Sequence, residues 1–186
     1  MYGVIGEDKS DFESLKILIK RITGDQGLTV KGRGFGSCDT MLKKGAQQLK
    51  LLADFGMTRF IVCYDSDGHD PAKRREEAMR KIIGPSKLSD FCITIPVQEL
   101  ESWILADFSA VTNIFRSWKP ERHPNPENVE SPKEFIVRAS RDSKSKTRYS
   151  HATHNPRVAR HLDLDIVYEK CASFRPFRDF VKKPTV

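Results

Sequence analysis

The chain has 186 residues, enough to form a hydrophobic core without support from disulfides or metals. Hydrophobic residues make up 38% of it and include 11 phenylalanines, a content that argues against a wholly disordered chain. With 32 Lys and Arg against 25 Asp and Glu, the net charge is +7, which favours a polyanionic partner such as nucleic acid.

No apolar run approaches the length of about 20 residues that crosses a bilayer, and the first residues do not have the pattern of a secretory signal. The four cysteines are too far apart in sequence to form a CxxC pair, which argues against a zinc knuckle or a redox motif. We therefore expect a reduced protein in the cytoplasm.

Strand and helix patterns alternate over the first 107 residues. Short apolar runs predict strands at 2–5, 28–31, 60–64 and 91–95. Apolar residues at helical spacing predict a helix after each of these strands. This alternation predicts an α/β fold with a mainly parallel central sheet flanked by helices.

Local signals predict how these elements begin and end. Ser10, with Glu13 three residues later, predicts a capping box at the start of the first helix. The glycine-rich segment 32–36 predicts a turn after the second strand. Pro71 suits the first turn of the third helix, whose basic residues 73–75 are expected to face solvent.

The sequence after residue 107 has a different character. A proline-rich loop is predicted at 119–132, and short helical patterns follow it. Three phenylalanines with three-residue spacing predict a C-terminal helix docked on the core: Phe174, Phe177 and Phe180. We therefore expect an α/β domain at 1–107 and a basic, mostly helical C-terminal extension at 108–186 packed on it.

Acidic residues follow three of the predicted strands. Glu7 follows the first strand, Asp65 and Asp67 follow the third, and Glu99 and Glu101 follow the last. Because ligands bind at the carboxyl ends of parallel strands, we expect these side chains to gather at one edge of the sheet. Clustered carboxylates repel unless a cation compensates them, and oxygen ligands suit Mg²⁺ or Mn²⁺.

The spacing within each acidic pair restricts its role. In an extended chain Asp65 and Asp67 point the same way and can share one metal ion. The alternative is a surface turn whose aspartates cap the next helix. On a helix, Glu99 and Glu101 would point about 200° apart, and we favour Glu101 as the site residue.

Two segments resemble the TOPRIM domain of topoisomerases, primases and the overcoming-lysogenization-defect nucleases. They are Val-Ile-Gly-Glu-Asp-Lys-Ser-Asp at 4–11 and Ile-Val-Cys-Tyr-Asp-Ser-Asp at 61–67. The family has a glutamate after its first strand and a D-x-D string after a later one. The resemblance implies a Rossmann-like sheet and divalent-metal-dependent chemistry on the phosphodiesters of nucleic acid.

Further strings are similar to small bacterial TOPRIM-like proteins of unknown function, namely Pro-Val-Gln-Glu-Leu-Glu-Ser-Trp-Ile-Leu-Ala-Asp at 96–107 and Ser-Phe-Arg-Pro-Phe at 173–177. The resemblance implies four catalytic and metal-binding residues: Glu7, Asp65, Asp67 and Glu101. The family usually has glycine directly after its glutamate, whereas this chain has Asp8, which either hinders close phosphate binding or supplies another ligand. Related nucleases are often governed by an ATPase. This sequence has no Walker A string, so an ATPase subunit would act in trans. The resemblance also implies a role in bacterial phage defence.

The region 138–160 contains seven basic residues and one acid, Asp142. Five of the basic residues are predicted to contact a nucleic-acid backbone: Arg138, Arg141, Lys144, Lys146 and Arg148. Tyr149 could stack on an unpaired base. The alternative is a solvated basic loop that binds nothing in particular.

The sequence therefore predicts a divalent-metal-dependent nuclease, with DNA and RNA both open as substrates. The alternative is a non-catalytic TOPRIM-like module that binds nucleic acid or docks a partner protein. A phosphotransfer receiver domain also places acids at strand ends, but it needs a lysine where this chain has Pro96.

Overall fold

The computed structural model describes residues 1–115, 125–140 and 149–183 of the chain. It is an α/β protein whose central sheet is parallel throughout, with the strand order β2-β1-β3-β4. The strands are β1 (Tyr2–Gly6), β2 (Val30–Gly34), β3 (Arg59–Cys63) and β4 (Phe91–Thr94). The prediction of an α/β fold with a parallel sheet is confirmed.

Helices flank this sheet on both faces. Over the first half of the chain they are α1 (Lys9–Thr23), α2 (Cys38–Asp54), α3 (Pro71–Ala78), continued by a π-helical turn (Met79–Ile83), and α4 (Gly84–Ser86). After β4 they are α5 (Glu101–Ala106), α6 (Phe108–Thr112), α7 (Pro132–Ala139), α8 (His151–Ala159), α9 (Leu164–Lys170) and α10 (Arg175–Lys182), with 3₁₀ turns at Pro126–Asn128 and Ala172–Phe174. In the described part of the chain, no helix combines the length and the apolar composition needed to cross a bilayer.

The sheet divides the hydrophobic core into two layers. On one face, Ile61 and Cys63 of β3 pack with residues of α1, α5 and α10. On the other face, Val62 packs with residues of α2 and of the π-helical turn. Because neighbouring residues of a strand point to opposite faces, a strand buried on both sides reads as the continuous apolar run seen in the sequence.

The C-terminal helix closes the first of these layers. Phe174 lies edge-on to Trp103 at 5.0 Å between ring centroids, and Phe177 stacks on Trp103 at 5.8 Å. Both phenylalanines are fully buried, as their spacing predicts. Arg59 on β3 fixes the end of α10 by donating hydrogen bonds to the Phe180 and Lys183 carbonyls, each at 2.7 Å.

The first helix begins earlier than its sequence predicts. Its N-cap is Asp8, whose backbone N–H donates to Asp11 Oδ2 at 2.7 Å, so the capping box joins Asp8 and Asp11. The predicted box of Ser10 and Glu13 is wrong, and Ser10 is buried inside the first turn. Aspartate caps a helix as well as serine does, and Asp8 comes first after β1.

The glycine-rich segment forms a strand where the sequence predicts a turn. β2 runs through Gly32 and Gly34, which pair with Val4 and Gly6 of β1. A Cβ atom at Gly34 would lie 2.0 Å from the Asp8 carbonyl carbon. Glycine therefore lets the end of β2 pass directly against the turn that follows β1.

We expect Gly34→Ala to destabilise the protein by about 2 kcal/mol, because the added methyl group must push the turn at Asp8 away. Thermal unfolding followed by circular dichroism measures this change. The matched control is Gly24→Ala at the end of α1, where a new Cβ has open space but the left-handed φ of 72° favours glycine. A Gly34→Ala protein as stable as the wild type would contradict this interpretation of the close approach.

Candidate active site

The turns after β3 and β4 are hydrogen-bonded to each other. The Ser66 N–H donates to the Pro96 carbonyl at 3.1 Å, and the Gln98 N–H donates to Ser66 Oγ at 2.7 Å. The Asp67 N–H donates to the Gln98 carbonyl at 3.0 Å. These contacts hold the carboxyl ends of the two strands together as one rim.

Glu7 reaches across this rim from the end of β1. Its Oε1 atom accepts a hydrogen bond from the Asp65 N–H at 3.1 Å. Burial, followed by the negative charge of Asp67, raises the pKa of Glu7 to about 7. A carboxyl group with this pKa can both accept and release a proton near neutral pH.

Asp65 is the most buried acid of the D-x-D string, with 8% of its surface exposed. Within the described residues, its Oδ1 atom is buried and has no hydrogen-bond partner. Burial, followed by the charges of Asp11, Glu101 and Glu7, raises the pKa of Asp65 well above its ordinary value. A buried carboxylate of this kind requires a proton or a cation.

Asp67 does not point the same way as Asp65. Its φ of 46° lies in the left-handed region, and its side chain is 46% exposed. The extended-chain argument for a shared orientation is therefore wrong, because Asp67 and Gly68 both have left-handed φ values and form a turn. The charge of Asp67 nevertheless acts on both Glu7 and Asp65.

Arg74 lies at the site, where the sequence predicts an outward-facing residue. Its guanidinium lies over the Tyr64 ring at 4.6 Å and donates a hydrogen bond to the Tyr64 hydroxyl. Its Nη2 atom is 3.7 Å from Asp67 Oδ2, and its side chain is only 14% exposed. The ring of Tyr64 and the carboxylate of Asp67 together draw this cation inward from the first turns of α3.

Glu101 is buried at the start of α5 and is held by a chain of hydrogen bonds. Asn155 Nδ2 donates to Glu101 Oε1 at 3.0 Å, and the Tyr149 hydroxyl donates to Asn155 Oδ1 at 2.6 Å. Burial raises the pKa of Glu101, while the charge of Lys133 opposes that rise. The suggestion that Tyr149 stacks on a base is wrong, because its ring is 3% exposed and its hydroxyl is used inside the protein.

Asp11 is a fifth acid at this edge. It is 6% exposed, and burial raises its pKa to about 7, with further contributions from Glu101 and Asp8. A second polar side chain approaches from α8, where His151 Nε2 is 3.8 Å from Asp8 Oδ2. The cap of α1 brings Asp11 to the site, and an Asp8–Asp11 capping box in the sequence would have indicated it.

Lys133 places a positive charge beside the two acids that follow β4. Its Nζ atom is 3.1 Å from Glu99 Oε1, and its backbone N–H donates to Glu99 Oε2 at 3.0 Å. Burial lowers the pKa of Lys133, but the charges of Glu101 and Glu99 outweigh burial and the pKa is raised. Glu99 therefore pairs with Lys133, while Glu101 is the member of the pair that lies with Asp65.

Lys133→Met should lower the free energy of unfolding by about 1–3 kcal/mol at pH 8 in EDTA, because Glu99 and Glu101 lose their partner. Urea unfolding measures this change, with Lys43→Met on the exposed face of α2 as the control. The loss should shrink at pH 5, where the buried acid carries less charge. Equal stabilities of the two variants at pH 8 would contradict the pairing.

The predicted nucleic-acid contacts fall mostly outside the described residues. Arg138 is exposed on α7. The other four lie in the segment that the structure does not describe: Arg141, Lys144, Lys146 and Arg148. Their role remains a prediction.

The donor set at this edge suits a hard cation, because every acidic ligand offers oxygen and the buried Oδ1 of Asp65 is without a partner among the described residues. Across 1–115, 125–140 and 149–183, however, no three His, Cys, Asp or Glu side chains are already arranged to hold a metal ion. Asp67 already forms an ion pair with Arg74, and one oxygen of Glu101 already accepts a hydrogen bond from Asn155. A metal ion would therefore be held by Asp65 and Glu101, with Asp67 and Glu7, after these side chains reorient.

The chain matches the family described as a domain of unknown function, DUF4276, over residues 6–182. No curated protein and no solved structure matches the sequence.

Proposed function

The chain belongs to the DUF4276 family, and we propose that it is a divalent-metal-dependent nuclease with a TOPRIM-like active site that hydrolyses phosphodiester bonds of DNA or RNA. The observation that carries this proposal is the buried Asp65, which has an unpartnered oxygen and several acidic neighbours among the described residues. Such a cluster is costly in a protein that binds no cation. The TOPRIM resemblance of 4–11 and 61–67 supports the same interpretation.

The proposed cofactor is Mg²⁺ or Mn²⁺, held by Asp65, Asp67 and Glu101, with Glu7 beside it either as a further ligand or, in the step below, as the acid–base group. When bound, such an ion polarises a phosphate and lowers the pKa of a water molecule. The chain itself supplies the groups that move protons and bind phosphate. In hydrolysis the water oxygen bonds to phosphorus as the bond to the leaving oxygen breaks. The water proton passes to the Glu7 carboxylate, and the leaving oxygen takes a proton from solvent.

Arg74 supplies positive charge next to Asp67. In the described residues its partners are Asp67, Glu77, Tyr64 and the Ser66 carbonyl. If Asp67 held a metal ion, the guanidinium would lose this partner and could bind a phosphate oxygen. Arg74 is therefore the residue that we assign to binding of the scissile phosphate.

The remaining parts of the proposal come from the sequence. The basic residues of 138–148 would contact the nucleic-acid backbone. The resemblance to overcoming-lysogenization-defect nucleases supports a cytoplasmic role in phage defence, with an ATPase subunit that acts in trans.

A specific observation favours a second candidate, a non-catalytic module that binds nucleic acid or a partner protein. The described residues contain no ready set of three metal ligands. In such a module, Arg74 and Lys133 would neutralise the acids permanently, and no cation would enter.

A cleavage assay separates the two candidates. The protein is incubated with supercoiled plasmid, single-stranded DNA and single-stranded RNA, each with Mg²⁺, Mn²⁺ or EDTA. The nuclease proposal predicts products in metal and none in EDTA, with no products from Asp65→Asn. Binding without cleavage under every condition, or equal cleavage by Asp65→Asn, would overturn it.

A further inference from the structure

A basic groove lies between β2 and α2, beside the candidate active site but outside it. Its volume is about 440 Å³. Six of its lining residues carry the argument: Arg33, Phe35, Lys44, Gln47, Lys50 and Leu51. We call it the β2–α2 groove.

The positive charges of this groove are available to a ligand. Arg33, Lys44 and Lys50 are exposed, and the one acid lining the groove is Asp54. Among the residues that the structure describes, none of the three cations forms an ion pair with a carboxylate. An excess of unpaired cations along a groove is suited to a phosphate backbone.

Apolar rings accompany these charges. Within the groove, the guanidinium of Arg33 lies 5.3 Å from the ring centroid of Phe35. Phe55 does not line the groove but directly follows Asp54, which does, and Lys31 Nζ lies 5.7 Å from its ring centroid. Phe55 is 61% exposed and Leu51 is 46% exposed. Exposed rings next to cations favour unpaired bases, which stack on aromatic faces, over a duplex, whose bases are already stacked.

The groove leads to the acidic edge of the sheet. The N–H groups of Phe35 and Gly36 donate to the Glu7 carbonyl at 2.9 and 2.7 Å. One end of the groove, at Phe35, is therefore joined to the turn that carries Glu7.

A second basic groove, between α1 and α8, lacks these properties. It is lined by Lys16, Lys20, Arg21 and Arg160 together with Glu13. The Arg21 guanidinium already donates to the Ala159 and Leu162 carbonyls, and Lys20 donates to the Gln26 carbonyl. We call it the α1–α8 groove, and it supplies a control of similar charge.

We propose that the β2–α2 groove binds single-stranded nucleic acid, with phosphates on Arg33, Lys44 and Lys50 and a base on the face of Phe55. The delivery of that strand to the acidic edge rests on the proposed nuclease function, but the binding itself does not. An acidic peptide would use the cations and would gain little from the exposed ring, so nucleic acid is the occupant that the groove favours.

The test is fluorescence anisotropy with a labelled 20-mer of dT, a 20-mer of U and a 20-base-pair duplex, in EDTA so that metal-dependent cleavage cannot occur. The groove variant combines Arg33→Ala, Lys44→Ala and Lys50→Ala. The control variant combines Lys16→Ala, Lys20→Ala and Arg160→Ala and removes the same charge from the α1–α8 groove. Circular dichroism checks that both variants are folded.

We expect the groove variant to bind both single strands at least 10-fold more weakly, and the control variant less than 3-fold more weakly. The slope of log affinity against log salt should flatten by about 2 in the groove variant, because each phosphate that the protein no longer neutralises reduces it by about 0.7. Absence of single-strand binding by the wild type at low salt, or equal reductions of affinity in the two variants, would overturn the proposal.

Phe55→Ala tests the stacking step. It should weaken binding of the single strands at least 5-fold and leave duplex binding within 2-fold, because only unpaired bases can use the ring. Polyglutamate that competes as well as dT, together with an unchanged affinity of Phe55→Ala, would show a general polyanion site and overturn the proposal. If the wild type cleaves in Mg²⁺ but the groove variant binds normally, this inference fails while the nuclease proposal stands. If the groove variant loses binding but the wild type never cleaves, the nuclease proposal fails while this inference stands.

Discussion

Asp65→Asn is expected to reduce metal-dependent cleavage by about 1000-fold or more, equivalent to about 4 kcal/mol of transition-state stabilisation. The same change should stabilise the metal-free protein by about 1–3 kcal/mol. Asp65 is buried among like charges, and an amide of the same shape removes its charge. Initial cleavage rates in Mg²⁺ and urea unfolding in EDTA measure the two effects. Activity and stability should therefore move in opposite directions.

The control for this variant is Asp39→Asn on the exposed start of α2, which should change neither quantity appreciably. Asp67→Asn should also abolish cleavage, but it should stabilise the protein less, because its side chain is 46% exposed. An Asp65→Asn protein that unfolds more readily than the wild type in EDTA would show that Asp65 has a structural partner, and the assignment would be wrong.

The metal-free protein should be markedly more stable at pH 5 than at pH 8, with a fall in Tm of roughly 5–10 °C between them. The pKa of Glu7 and that of Asp11 are both raised to about 7, and the pKa values of Asp65 and Glu101 are raised as well. The folded protein therefore retains protons that the unfolded chain has already released. Stability falls as the pH rises from the ordinary carboxyl range to about 7.

Between pH 5 and pH 8, His154 acts in the opposite direction. Burial lowers the pKa of His154, so its contribution to stability increases as the pH rises towards its ordinary value. A single histidine does not offset four buried acids. A saturating concentration of Mg²⁺, roughly 10 mM, should restore most of the lost Tm at pH 8, because a ligand that binds only the folded state stabilises it. The same addition should raise the Tm little at pH 5, where the acids carry protons. A Tm that rises from pH 5 to pH 8 in EDTA would contradict the raised carboxyl pKa values.

The fold could be predicted largely from the sequence because its signals are local and periodic. The run 60–64 is continuously apolar since β3 is buried on both faces. Phe174, just before α10, and Phe177, within it, are both buried as their spacing predicts. The glycines of β2 are the exception. Glycine is required both in turns and where two backbones approach closely, so the sequence does not distinguish the two. The approach of Gly34 to Asp8 depends on pairing with β1, which lies almost 30 residues away.

The candidate site could be predicted only in outline. Parallel strands end at the same edge of a sheet, which predicts that Glu7 and Asp65 lie together. The hydrogen bond from the Asp65 N–H to Glu7 joins the ends of β1 and β3 in this way. The orientation of Asp67 depends on a left-handed residue, and the inward position of Arg74 depends on the Tyr64 ring. Lys133 comes from a helix more than 30 residues after Glu99, a contact that no spacing rule could have indicated.

The central claim is that the acids at the carboxyl edge of the sheet bind a divalent cation, and Mn²⁺ binding tests it most directly. Electron paramagnetic resonance measures free Mn²⁺ as protein is added, in wild type and in Asp65→Asn, with Asp39→Asn as the control. The account predicts saturable binding by the wild type and by Asp39→Asn, weakened at least 10-fold in Asp65→Asn and displaced by excess Mg²⁺. A folded wild-type protein that lowers free Mn²⁺ no more than Asp65→Asn does would contradict it.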